Sequence, residues 1–186
     1  MKIFHIDEDV FRMLPDYYVG VVAAEGLVNR QDNPAVDLGN AISLEERLPI
    51  GAHDVGNFCD GRMEVRLAAE GDTFLPMGGG ELEKPDEREL VYVSGHTVKT
   101  RRWTWRQSDD GKISEDTQAI LFPIDGFYGV NEKAVAEAVQ KLSDAVCQAF
   151  GCTTHTGIID FLVSVFLLTA ILFCDKVKLV TSARLL

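Results

Sequence analysis

The apolar positions of this chain follow three rhythms, and each predicts a different kind of element. Residues 17–24 (YYVGVVAA) form a continuous run of aromatic, β-branched and small residues, the pattern of a strand buried on both faces. The opening Met1–Ile6 alternates and reads as an edge strand. Short strand-like stretches follow at 63–67, 73–75, 90–93, 97–106 and 118–123, divided by the turn formers EGD, GGGE, KPDE, SG and DDGK, so a meander-rich sheet is expected. Helical spacing takes over with Val135, Ala138, Leu142, Ala145 and Ala149, led by Asn131 as N-cap with Glu132 in the first turn and stopped by Gly151. A shorter helix over 36–48, ending before Pro49, follows the turn-forming NRQDNP at 29–34. The expected class is α+β: a mixed sheet with flanking helices, a C-terminal helix and an apolar tail. Residues 1–150 are read as one domain and 151–186 as the tail, with a helix expected in it.

The tail changes the picture most. Phe161–Cys174 is 14 residues without a charge, bounded by Asp160 and Asp175. A bilayer span needs about 20 residues, and lengthening the run backwards takes in Asp160, which is costly in hydrocarbon. A buried or dimer-forming helix is therefore favoured over a membrane anchor through 158–174 or a poorly structured tail. The 186 residues suffice for one domain with a core, and 46% hydrophobic with 25% charged content excludes disorder along the bulk of the chain. The net charge of -11 repels phosphate, so any nucleic-acid contact must rest on a local basic patch. Cys59, Cys147, Cys152 and Cys174 form no CxxC pair, and no cationic-then-apolar leader opens the chain, which makes a reducing cytoplasm the expected compartment. Four scattered histidines argue against zinc, and neither metal nor cofactor is expected.

Candidate chemistry concentrates in two places. In 99–107 (KTRRWTWRQ), a strand period of two puts Lys99, Arg101, Trp103 and Trp105 on one face and Thr100, Arg102, Thr104 and Arg106 on the other. Either the tryptophan face is core and the cations lie in solvent, or Arg102 and Arg106, with Thr104 between them, line a pocket that holds a carboxylate or phosphate. In 33–54, Asn40 and Ser43 lie three apart on one helix face and offer donors and acceptors, although local capping explains each as well. Gly51-Ala52 allows close backbone approach to a substrate, or a plain tight turn. His53 beside Asp54 suggests a general base, but no serine or cysteine stands at a motif spacing to use it, so a structural histidine is the better reading. Thr117 is either a pocket hydroxyl or the first residue of a strand, with the second favoured.

Taken in order, NPAVDLGNAISL, LPIGAHD, VRLAAEGDTFLPMGG, ELVYV, RRWTWRQ and ISEDTQAILF resemble the B3/B4-type domain of the phenylalanyl-tRNA synthetase beta subunit and its stand-alone members. The resemblance spans residues 33–124 and implies an α/β module whose sheet carries a pocket. In the synthetase that domain hydrolyses tRNA charged with the wrong amino acid. Its asparagine falls on Asn40, its preceding threonine becomes Gly39, its editing histidine falls near Gly51 and its pocket glutamate near Arg106 or Gln107, so most of the editing signature is absent. Stand-alone members carry a helical segment before the NPAVD-like element, whereas here Ala24 reaches Asn33 almost directly.

The leading expectation is thus a tRNA-related module that binds the aminoacyl end of tRNA and deacylates it slowly in trans. The substrate-binding residues would be Asn40, Ser43, Gly51, Ala52, Arg102, Thr104, Arg106 and Thr117; no catalytic residue is assigned. The alternatives are a small-molecule protein holding an amino acid or other carboxylate without RNA, and a tail-anchored or oligomeric interaction protein.

Overall fold

In the computed structural model, which describes residues 1–29 and 33–168, the chain begins with β1 (Ile3–Ile6), α1 (Glu8–Met13), β2 (Tyr17–Glu25), α2 (Pro34–Glu46) and β3 (His53–Asp54). It continues through β4 (Arg62–Leu67), β5 (Leu90–Ser94), β6 (Thr97–Arg101), β7 (Arg106–Gln107), β8 (Ala119–Phe127), α3 (Glu132–Phe150), β9 (Thr153–Ile159) and β10 (Val165–Leu167). The strands form two sheets, ordered β10-β1-β4-β5-β6-β7 and β3-β8-β2-β9. All pairings are antiparallel except that of β1 with β4. The fold is α+β, as expected.

The buried run at 17–25 sorts its side chains by parity, as a strand must. Tyr17, Val19, Val21 and Ala23 join Phe4, Ile6, Met63, Val65 and Leu121 in a core between the sheets. Tyr18, Val22 and Ala24 join Ile42 of α2 and Val135, Ala138, Leu142 and Val146 of α3 in a second core behind the smaller sheet. Burying each of Val135, Leu142 and Val146 contributes roughly 1.5–3 kcal/mol. Gly20 permits this approach, because a Cβ there would lie 2.6 Å from Val139 Cγ2 and 2.8 Å from Val135 Cγ1.

Several expectations are corrected. Residues 153–167 are not a helix: β9 completes the smaller sheet along β2, and β10 adds to β1. The alternation of TTHTGII suits a strand, and pairing with the edge of β2 satisfies a backbone ladder that would otherwise be open. The rest of the apolar run, from 169, lies outside the described residues, as do residues 30–32 of the expected turn. No helix among the described residues is long and apolar enough to cross a membrane. Residues 73–75 make only isolated bridges, Thr73 to Thr97 and Phe74 to Glu83. Asn131 does not cap α3 through its side chain; its Oδ1 accepts from Phe127 N at 2.8 Å.

α2 starts with Pro34 in its first turn, where a missing N–H costs nothing, and ends at Arg47 in the left-handed region (φ 57°). Beyond that turn the chain lies along β8: Asp125 N donates to Pro49 O, Ile50 bridges Ile124, Gly51 N donates to Pro123 O, and His53 pairs with Leu121. This strap brings residues 49–53 to the open edge between the two sheets.

Candidate functional site

At that edge a cavity of about 310 Å³ opens between the strap and β8 on one side and β5–β7 on the other. Its shape depends on a departure from the expected strand at 97–106. The pairing shifts register between Tyr92/Thr100 and Val93/Val98, and the chain then turns back, with Arg101 opposite Arg106. Arg102 (φ 44°) and Trp103 (φ 66°) take left-handed backbone in this turn, although neither residue type favours it. The period-two sorting therefore fails: Trp103 and Trp105, with Thr100, Thr104, Arg106 and Gln107, all border the cavity. Gln107 Nε2 donates to Ala52 O at 2.6 Å and Gly111 O at 3.2 Å, which ties the hairpin to the strap.

The cations of this segment are engaged by acids. Arg101, buried rather than in solvent, binds Glu89 through Nε (3.0 Å) and Nη2 (2.6 Å), and Glu83 through Nη1 (2.7 Å). The hydrogen bonds it donates to Glu89 hold the Arg101 pKa above its ordinary value. Lys99, also buried, donates to Asp110 and to Asn57 O. Arg102 pairs with Asp86 at 3.1 Å and lies over Trp105 at 4.8 Å. Arg106 pairs with Glu83 at 3.0 Å and lies 5.7 Å from the Trp105 centroid while bordering the cavity.

The cavity is also bordered by three deeply buried titratable groups from distant parts of the sequence, His53, Tyr92 and Asp125. Asp125 Oδ1 accepts from Tyr17 Oη (2.5 Å), Tyr92 Oη (2.6 Å) and Trp103 Nε1 (2.8 Å). Burial raises the Asp125 pKa against the lowering effect of these three donors. Burial also raises both tyrosines well above their ordinary range, with the charge of Asp125 adding to it. His53 is 1% exposed and stacks on Tyr92 with centroids 5.8 Å apart, and its Nδ1 has no partner. Desolvation, then the nearby Lys99 charge, lowers its pKa to about 3, so the imidazole is neutral at neutral pH.

Of the residues expected to bind substrate, Ser43, Gly51, Thr104 and Arg106 border the cavity. The other four lie elsewhere. Asn40 is exposed on α2, away from the lining. Ala52 offers only its carbonyl, to Gln107, and Arg102 is turned to Asp86. Thr117 is buried and donates to Asp54 Oδ2 at 2.8 Å. Asp54 also accepts from Gly56 N at 2.7 Å, so it is committed to local bonds and forms no dyad with His53. Ser43 itself donates to Leu48 O at 2.6 Å, closing α2. Gly51 needs no left-handed backbone; it is small because a Cβ would lie 3.1 Å from His53 Nε2 and 3.2 Å from Pro123 Cγ. Sequence reasoning assigns no role to Tyr17 and Tyr92, which sit in stretches that read as core strands, nor to Asp125, just past the strand expected at 118–123; Gln107 closes the candidate segment 99–107 but is not among the expected substrate-binding residues. An acid inside the apolar stretch AILFPIDGF was the available signal. Among the described residues no group of three or more His, Cys, Asp and Glu could hold a metal ion.

The sequence matches the B3/4 domain family model over residues 23–148. No curated protein matches it. Among solved structures the fold resembles the N-terminal fragment of the phenylalanyl-tRNA synthetase beta-subunit from Pyrococcus horikoshii, with a TM-score of 0.61 and 16% sequence identity. That match covers 81% of this chain and 49% of the other, so this chain spans about half the length of the fragment. The family match covers most of the chain and both sides of the cavity, and the protein belongs to the B3/4 domain family.

Proposed function

We propose that the cavity receives the aminoacyl end of a charged tRNA and that the protein deacylates it slowly in trans. One observation carries the reading: in a B3/4 domain whose fold resembles part of a tRNA synthetase subunit, an inter-sheet cavity of about 310 Å³ brings together two tryptophans, a neutral histidine and a buried acid. The volume is at the lower end for small-molecule sites, enough for one amino acid and its ester linkage but not for an RNA helix. The net charge of -11 and the acid-paired arginines limit RNA contact to the terminal nucleotides.

The chemistry would be chiefly positional. Gly51 N is taken by Pro123 O and Asn40 is outside, so neither orients the ester. His53, beside Gly51, can hold an attacking water through hydrogen bonding, but with a pKa of about 3 it is a weak base, and a slow reaction follows. Thr104, Gln107 and Arg106, which border the cavity, would contact the sugar or phosphate.

The acid pairing of the arginines also favours a second reading, a site for a free amino acid with no RNA involved. Both are tested by hydrolysis of a panel of correctly and incorrectly charged tRNAs, with an Arg106→Ala variant alongside and at two salt concentrations. Release of an amino acid that weakens with salt and in the variant supports the tRNA reading. No release, with salt-independent binding of a free amino acid, supports the second.

A further inference from the structure

The two oxygens of Asp125 are not equivalent. Oδ1 takes three donors at 2.5–2.8 Å, the short lengths of bonds to a charged acceptor. Oδ2 accepts from no side chain among the described residues, and Asp125 borders the cavity although it is only 4% exposed. Because Oδ1 already takes three donors, Oδ2 is the oxygen left for a group that neutralises this carboxyl, and the residue borders the cavity. No described cation pairs with it: Lys99 is held by Asp110, Arg101 by Glu83 and Glu89, and Arg106 by Glu83. An unpaired buried carboxylate is costly, and a proton or a bound cation relieves that cost.

We propose, building on the aminoacyl-end reading, that the cavity is an ammonium site in which the protonated amino group of the ligand donates to Asp125 Oδ2. A ligand hydroxyl would supply the hydrogen bond and leave the charge; a primary ammonium supplies both. Trp103 adds aromatic lining beside Asp125, whereas the Trp105 ring already carries Arg102 and Arg106. Neutral His53 puts no competing positive charge beside the amine. The ligand class is therefore a primary amine, and in the proposed reaction it is the free α-amino group of the aminoacyl ester. An N-blocked aminoacyl group is excluded.

The chain has two tryptophans, and both border the cavity, so intrinsic fluorescence reports its occupancy directly. The probes are methyl esters of a small, an aliphatic and an aromatic amino acid, their N-acetyl counterparts, and n-butylammonium chloride, titrated into the full chain and into Asp125→Asn. The expected result is saturable quenching by a free-amine ester, at least about tenfold weaker after N-acetylation, with that preference lost in Asp125→Asn. Should the variant not fold, as judged by circular dichroism, the N-acetyl comparison in the unaltered protein decides alone. Equal binding of free and N-acetylated esters overturns the ammonium site and leaves the aminoacyl reading standing. Asp125-dependent binding of n-butylammonium without any ester upholds the ammonium site and removes the aminoacyl reading. Binding of none of these probes overturns the ammonium site.

Discussion

His53 carries a penalty for acid that a single substitution isolates. In the unfolded chain its pKa is about 6.5, whereas in the fold burial and the Lys99 charge lower it to about 3. Above about pH 7 both states are neutral and the residue contributes nothing to the pH dependence. Between about pH 6.5 and 3 the unfolded chain takes up a proton that the folded chain refuses, so stability falls as pH falls through this window. At about pH 5 the loss is RT ln(1 + 10^1.5), about 2 kcal/mol. This figure barely depends on the folded pKa, because any folded value below about 4 leaves the native imidazole neutral at that pH. The assay is urea unfolding of the protein and of His53→Gln at about pH 8 and pH 5. Asp72 and Glu89, whose pKa values are held low by Arg66 and Arg101, also lose stability in acid, while Asp125, whose pKa is raised by burial, gains it. All three are common to both proteins and cancel in the comparison. The variant should lose about 2 kcal/mol less than the parent on going to pH 5. Equal losses, or a His53 imidazole that titrates near 6.5 by NMR, would refute the buried neutral histidine.

Three other substitutions test the packing around the site. Arg101→Ala leaves Glu89 buried without its cation and should lower unfolding stability by about 3–5 kcal/mol, read by urea denaturation. Gly51→Ala places a Cβ against His53 Nε2 and Pro123; it should cost about 1–2 kcal/mol in urea denaturation and weaken tryptophan quenching by the cavity ligand. Gly20→Ala forces apart β2 and α3 and should cost about 1–3 kcal/mol in thermal or urea unfolding, with the tryptophan emission unchanged because the added Cβ meets Val135 and Val139 on the α3 face of the sheet.

The elements that could be read from sequence were those whose burial follows a local period. α3 buries Val135, Ala138 and Leu142 at helical spacing, and β2 is an unbroken apolar run, so each declares itself within a dozen or so residues. The B3/4 relationship was legible too, from the NPAVDLGN and RRWTWRQ segments. What stayed hidden depends on contacts distant in sequence or on backbone that runs against residue preference. The left-handed Arg102 and Trp103 lie in a turn without Gly, Asn or Asp, so nothing local distinguishes it from continuing strand. Tyr17, Tyr92, Trp103 and Asp125 converge from four segments, and only the fold shows that three donors share one oxygen. At the C-terminus the charge-free run beginning at Phe161 drew attention from the weaker alternation at 153–159, where β-branched residues pair with β2.

The central claim is that the cavity receives the aminoacyl end of tRNA, and both tryptophans of the chain border that cavity. The most direct measurement is a fluorescence titration with one tRNA in charged and uncharged form. Saturable change with the charged form and much weaker change with the uncharged form is the predicted result; identical responses, or none to either, would contradict the claim.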